Sequence, residues 1–555
     1  MPKPIHNEGN LRSIRFLSAI ALTLGLVRAG WPALGISELL FQVASIFAVS
    51  LTILNNVYGL LGKNRREFIK ERKLEIAIVG LILFWALSCL LAAYDGHLDP
   101  ETSRELLKWS AYLLLGVPIG FALTETRFVT KWLFRLQNRF AATFAIVFFS
   151  TVVVGALLLN SPGASASGVS VPLMDCLFTS ISACAVTGLT TIDVGTTYSS
   201  FGKAILTVLM LLGGWGPVTM AGLMRVLSGE RMVFHERNVG MDVMADVQHR
   251  VAPLMKTVLG VTVVAIGAGT FMLFNLWPDS SLAPLPRLGY AIFHSVSAYC
   301  NAGLGLYSDS LLSISEAAPR VLLIISLLVV VGGLGFPVWL DILSTRGSHE
   351  RHIHSRVTVI TTISLIVVGA VFAFYMLPAS MEAGEKLTRA IFRSITPRTA
   401  GFSDSMLGSW TWFPLTWTAI LMVIGAGASS TAGGMKVTTL AVVTMKIFGS
   451  KKVWVGEMLK RAVGMLIAYF TVLTLGVAGV FWFESGMHGK YVFECISALS
   501  TVGLSMDLTP SLTHGSQFVL MVLMFLGRIG PLALLDMSRK KVEITEAPPP
   551  PLLIA

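Results

Sequence analysis

FTSISACAVTGLTT, residues Phe178–Thr191, is the stretch on which the fold turns. A polar run ending in Thr187-Gly188-Leu189-Thr190 has no place in an ordinary membrane span. It reads as a short helix followed by a tight, glycine-bearing segment. Related stretches recur at Phe293–Leu304 (FHSVSAYCNAGL), Phe392–Phe402 (FRSITPRTAGF) and Phe493–Leu504 (FECISALSTVGL). The Phe-to-Gly offset is 10, 10, 9 and 10 residues, and the glycines Gly188, Gly303, Gly401 and Gly503 stand 115, 98 and 102 residues apart. A period near 100 is too long for the common solenoid repeats, so it marks four large, equivalent units.

Hydrophobic residues make up 54% of the 555, and charged residues only 13%, where a soluble domain carries about 25%. The chain is therefore expected to be an all-α, multi-pass protein of the cell membrane. Its net charge of +11 fits cytoplasmic flanks of membrane spans better than a nucleic-acid partner. Met1–Asn10 is polar and no small-residue cleavage pattern follows, so no signal peptide is expected. The five cysteines (Cys89, Cys176, Cys184, Cys300, Cys495) show no CxxC or metal spacing and read as apolar fillers.

Residues 1–130 hold up to four apolar stretches and no copy of the motif, and read as a packing or assembly module. Four repeats follow, at 135–230, 250–345, 355–450 and 460–540. Each is a span, a polar glycine-bearing segment and a second span; the tail 542–555 is expected to be disordered. The connections 231–250, 346–356 and 446–461 and the terminal SRKK at 538–541 are all cationic, which places them in the cytoplasm. Each unit then opens and closes on that side, so all four polar segments enter from outside and return there.

Non-helical backbone at membrane depth must be buried in protein or line a polar cavity. Four equivalent segments imply four-fold pseudo-symmetry around a central hole built within one chain. Glycine allows backbone angles closed to other residues, so carbonyls can turn inward and replace the water shell of a dehydrating cation. The candidate filter is Val186-Thr187-Gly188, Asn301-Ala302-Gly303, Thr399-Ala400-Gly401 and Thr501-Val502-Gly503. Each short helix would point its negative C-terminal end at the pore.

An acidic residue follows each filter glycine: Asp193, Asp309, Asp404 and Asp507. These are candidates for an outer mouth that concentrates cations, although aspartate also favours turns. The second spans carry glycine clusters, Gly213-Gly214-Trp215-Gly216, Gly332-Gly333-Leu334-Gly335 and Gly527-Arg528-Ile529-Gly530, which suit close helix packing. The third unit differs. Gly425-Ala426-Gly427-Ala428-Ser429-Ser430-Thr431-Ala432-Gly433-Gly434, followed by Met435 and Lys436, is too rich in Gly and Ser to stay helical. It is expected to join two half-helices and to act as a movable barrier, or gate, beneath the filter. Arg528, deep in the last span, is costly to bury and marks function; facing the pore, it would restrain cation leak. Glu494 reads as a carboxylate suited to a helix N-terminus, and His294 as a packing or hydrogen-bonding residue.

These residues carry a resemblance to the Trk/Ktr/HKT superfamily of potassium transporters, and above all to the bacterial pore-forming subunits. The matching stretches are Thr187–Thr190, Asn301–Leu304, Thr399–Phe402, Thr501–Ser505, Ser430–Lys436 (STAGGMK) and Gly527–Leu532 (GRIGPL). The resemblance implies potassium as the transported ion, held at Thr187, Gly188, Asn301, Gly303, Thr399, Gly401, Thr501 and Gly503. It further implies a gate at 425–436 with Arg528, a homodimer, and a separate cytoplasmic nucleotide-binding regulatory ring. No organic cofactor belongs to this chain on that view. Pro397 and the opening GAGASS of the loop depart from the family pattern.

A membrane-embedded enzyme is disfavoured, because the histidines lie mainly in polar loops without an HExxH spacing. The expected function is potassium uptake through a selective pore. The alternatives are a sodium- or proton-coupled carrier and a sodium-permeable channel of the same superfamily.

Overall fold

The computed structural model describes residues 140–228, 251–278, 283–343, 349–449, 453–486 and 488–530. All of them but Val226–Ser228 fall in one compact unit. The expected N-terminal spans, the cationic connection 231–250 and the tail 542–555 lie outside the described residues.

The described residues form helices joined by loops, with only isolated backbone bridges between extended residues. The first unit is α1 (Phe140–Leu159), α2 (Leu173–Ala185) and α3 (Ser200–Ser228). The second is α4 (Val251–Leu276), α5 (Pro284–Cys300), α6 (Arg320–Gly333) and α7 (Phe336–Leu343). The third is α8 (His349–Met376), α9 (Ala383–Ile395), α10 (Trp412–Val423) and α11 (Val437–Ile447). The fourth is α12 (Val453–Phe483), α13 (His488–Leu499) and α14 (His514–Ile529).

Lys256–Leu276, Ile353–Met376 and Met458–Phe483 are long and apolar enough to cross a membrane. Their outer faces stay uncovered, as with Phe271 at 72% and Leu475 at 68% exposure, which suits contact with lipid. The second helix of each unit is different. α2, α5, α9 and α13 have 13, 17, 13 and 12 residues, so at 1.5 Å per residue they reach about 18–26 Å, short of the ~30 Å core. They enter the membrane and turn back.

Each short helix packs on its own unit's first span: α2 on α1, α5 on α4, α9 on α8, α13 on α12. Glycines make that approach possible. A Cβ on Gly155 would lie 2.6 Å from Ser180 Oγ, and one on Gly269 would lie 3.2 Å from Ser295 Oγ. Each short helix also receives the second span of the preceding unit: α6 packs on α9, α10 on α13, and α14 on α2. Gly214 of α3 completes the circuit, since a Cβ there would lie 2.9 Å from Cys300 Sγ. The last unit therefore packs against the first.

Outside the third unit, the second spans meet a break that their apolar runs did not announce. Expected as one span over 319–343, α6 and α7 meet at an angle of 88°. The cause is the last glycine of each cluster. Gly216 inside α3, Gly335 between α6 and α7, and Gly530 after α14 have φ of 51°, 94° and 91°, which a helix cannot continue through. The first glycine keeps the packing role. A Cβ on Gly213, Gly332 or Gly527 would strike the carbonyl of Cys184, Tyr299 or Leu499, each the residue four before a filter glycine.

Candidate functional site

The four filter segments share one backbone alternation. Val186, Asn301, Thr399 and Thr501 have φ of 58°, 59°, 70° and 51°, and Gly188, Gly303, Gly401 and Gly503 have 98°, 66°, 78° and 97°. The residue between them, Thr187, Ala302, Ala400 or Val502, is not left-handed. Thr399 and Thr501 are thus the counterparts of Val186 and Asn301, whereas Thr187 stands one place later.

The four glycines close on one another. A Cβ on Gly188 would lie 2.6 Å from the Ala302 carbonyl, and one on Gly303 would lie 2.7 Å from the Ala400 carbonyl. One on Gly401 would strike the Val502 carbonyl, and one on Gly503 the Thr187 carbonyl. This order runs once around a ring and returns to its start. Only glycine combines the positive φ with that close approach of the next quarter's backbone.

The ring is braced from behind by hydroxyls that the sequence reading did not weigh. Ser182 Oγ accepts from Gly188 N and Ser497 Oγ from Gly503 N, each at 3.0 Å. Ser297 Oγ donates to the Leu304 carbonyl at 2.8 Å, and Thr396 Oγ1 donates to the Phe402 carbonyl. All four are buried. Their signal was in the quoted stretches: a hydroxyl six residues before the glycine, and five in the third unit. Asn301, with its amide oriented to satisfy both ends, donates to the carbonyls of Ala298 and Val329 at 3.2 Å each. The hydroxyls of Thr187 and Thr501 are buried without a hydrogen-bond partner.

As expected, residues 425–436 join two half-helices, α10 and α11. The loop docks on the break between α6 and α7. Gly427 N donates to the Gly333 carbonyl at 2.8 Å, Thr431 N to the Gly332 carbonyl at 3.3 Å, and Phe336 N to the Ser429 carbonyl at 3.0 Å. Backbone groups freed by one helix break are thereby satisfied by another, as a lipid setting demands. The loop also presses on the filter: a Cβ on Gly433 would strike Thr501 Oγ1, and one on Gly434 would lie 3.0 Å from the Ser500 carbonyl.

Two buried arginines and the half-buried Lys436 hold this loop by its carbonyl oxygens. Arg528 Nη1 donates to Thr431 O at 2.7 Å, and Nη2 donates to the carbonyls of Gly213 and Gly214. Lys436 Nζ donates to Ala432 O at 3.0 Å. Arg398 reaches Gly425 O at 3.5 Å and Thr362 O at 3.4 Å. Arg398 was missed in the sequence, where its neighbour Pro397 drew the attention.

The four aspartates after the filter do not share one environment. Asp193 caps the one-turn helix Val194–Thr197, accepting from Gly195 N at 2.8 Å. Asp309 accepts from Ser313 N at 2.9 Å. Asp404 is buried between Arg389 and Arg393, at 3.4 and 2.9 Å, so its charge is compensated rather than offered to an entering cation. Asp507 is exposed. Glu494 corrects a second expectation: it lies midway along α13, not at its start, and accepts from Met506 N at 2.8 Å and Thr509 Oγ1 at 2.9 Å.

The profile of a family described as TrkH, cation transport protein, matches residues 123–543. The Ktr system potassium uptake protein B of Vibrio alginolyticus is 34% identical over 415 residues, 70% of this chain and 88% of that protein. Its namesake from Bacillus subtilis (strain 168) is 32% identical over 416 residues, 70% and 90%. The potassium/sodium uptake protein NtpJ of Enterococcus hirae is 32% identical over 412 residues, 69% and 89%. In fold, the chain is similar to the crystal structure of the potassium transporter TrkH from Vibrio parahaemolyticus. The TM-score is 0.56 at 18% identity, over 84% of this chain and 97% of that one.

Proposed function

The chain belongs to the TrkH family of cation transport proteins, and from that premise we propose that it is the pore-forming subunit of a potassium uptake system. The observation that carries the reading is the closed ring of Gly188, Gly303, Gly401 and Gly503. A ring of backbone carbonyls at that level substitutes for the water shell of a potassium ion. The names of the relatives, potassium uptake proteins from two Ktr systems, support potassium as the cargo. Transport needs no covalent chemistry, since the membrane potential supplies ~2.3 kcal/mol per charge per 100 mV.

In this reading a potassium ion enters from outside past Asp507, loses water among the filter carbonyls and meets the loop 425–436. With the loop docked on the α6–α7 break and tied by Arg528, the path is shut. Opening requires the loop to leave Gly332, Gly333 and Phe336. We assign that work to a separate cytoplasmic nucleotide-binding ring seated beneath a homodimer of this chain, as the family resemblance implies.

The test is ion flux in reconstituted vesicles holding the chain and its cytoplasmic partner, comparing potassium, rubidium and sodium, with Gly188→Ser alongside. Potassium and rubidium uptake with sodium excluded supports the reading, and sealed vesicles sink it. The relative named a potassium/sodium uptake protein favours one second reading, a coupled carrier or sodium-permeable pore. Dependence of potassium flux on external sodium or pH would select it.

A further inference from the structure

The residue three places after each filter glycine is fixed, in every quarter, by a side chain of that quarter's short helix. These residues are Thr191, Leu306, Asp404 and Met506, and all four are buried. The chemistry differs around the ring. In the first quarter the tie joins two side chains, Thr191 Oγ1 donating to Asp175 Oδ1 at 2.6 Å; in the third, Arg393 Nε donates to Asp404 Oδ1 at 2.9 Å and Arg389 Nη1 to the Asp404 main-chain carbonyl at 3.3 Å. In the second and fourth quarters the tie grips a main-chain amide. Leu306 N donates to His294 Nε2 at 3.4 Å, and Met506 N donates to Glu494 Oε1 at 2.8 Å. His294 and Glu494 occupy the same place, nine residues before Gly303 and Gly503, and both are buried.

The His294 ring is set for this use. Its Nδ1 faces the Tyr290 carbonyl at 2.8 Å, and a carbonyl only accepts, so Nδ1 carries the proton and Nε2 is left as the acceptor. Trp277, Tyr290 and Tyr307 surround the ring, with the Trp277 centroid at 4.8 Å. The held residue in turn touches the adjacent quarter, since a Cβ on Gly195 would strike the Leu306 carbonyl.

We propose that His294 and Glu494 are specificity-determining positioning residues, a pair facing each other across the pore that sets the width of the filter's outer rim through the amides of Leu306 and Met506. At Thr191 the tie is to the side chain, and at Asp404 it is to the side chain and the main-chain carbonyl, so neither holds an amide. This rests on the potassium reading for the identity of the ion, and on the geometry alone for the role of the pair.

The experiment is the potassium-to-sodium uptake ratio of vesicles containing the full chain with its cytoplasmic partner. His294→Leu and Glu494→Leu each strand a buried amide and are expected to lower the ratio about tenfold. His294→Gln and Glu494→Gln keep an acceptor in place and are expected to hold the ratio within about twofold of wild type. A structural role alone would not separate the glutamine from the leucine variants. Leucine variants that discriminate as wild type does, or glutamine variants that fail as the leucine ones do, would overturn the proposal. Should a leucine variant fail to assemble, Glu494→Asp, one methylene short, decides: a lowered ratio supports the brace and an unchanged ratio overturns it. A wild type that discriminates among other cations but carries no potassium retires the potassium reading, while the same variants, compared on the ions it does carry, still decide the brace.

Discussion

Arg528 Nη1 stands 2.7 Å from the carbonyl oxygen of Thr431, joining the end of the last helix to the middle of the loop that interrupts the third quarter. The same guanidinium also reaches Gly213 and Gly214, so three quarters meet at one side chain. Arg528→Gln should loosen the loop. Rubidium uptake in vesicles should rise about tenfold, the loss of one charged hydrogen bond, with an unchanged size-exclusion profile. Unchanged or lower uptake from intact protein would show that Arg528 does not hold the gate.

Gly503→Ala places a methyl group on the Thr187 carbonyl at φ of 97°. Gly267→Ala places one in open space. The first should abolish potassium selectivity and the second should leave it untouched, as read by competition between potassium and sodium uptake. Equal behaviour of the two would remove the ring from the explanation.

Gly332→Ala forces a Cβ onto the backbone carbonyl of Tyr299, and neither backbone can yield. Overpacking of this kind costs about 1–3 kcal/mol. The variant should unfold at lower temperature in detergent while any protein that does assemble keeps wild-type selectivity.

Asp404→Asn and Asp507→Asn should differ in kind. The first leaves Arg393 without its counter-charge, while Arg389 keeps Glu385 at 2.7 Å; breaking a buried pair costs about 3–5 kcal/mol, visible as poor assembly. The second should leave stability alone and lower potassium conductance up to about twofold in low external salt, with the effect vanishing at high salt. An Asp507→Asn variant with normal low-salt conductance would remove it from the outer mouth.

The period of the filter was legible because a left-handed backbone pressed against a neighbour tolerates only glycine, and that constraint writes a letter into the sequence. The third quarter's shorter offset, nine instead of ten, was visible too; there Thr396 stands one residue nearer its glycine than Ser182, Ser297 and Ser497 do. The intramembrane loop was legible from its excess of Gly and Ser. The break at Gly335 was not, since Gly332-Gly333-Leu334-Gly335 suits tight packing as well as a bend, and both occur within four residues. Nor was the state of Asp404, because its charge is decided by Arg389 and Arg393 on α9, and nothing in an isolated aspartate announces its partners. His294 and Glu494 share one place in the repeat with unrelated side chains, so no letter-by-letter comparison of the units could pair them.

The circuit from Gly188 through Gly303 and Gly401 to Gly503 is closed by a single polypeptide. In a pore assembled from identical chains, any substitution strikes every wall at once. Here it strikes one wall and leaves the residues of the other three unchanged. Each side can therefore drift in its own direction, and a lone change can be dosed like a quarter-strength perturbation, which makes this architecture well suited to measuring how much lopsidedness a conduction path tolerates before it ceases to sort ions.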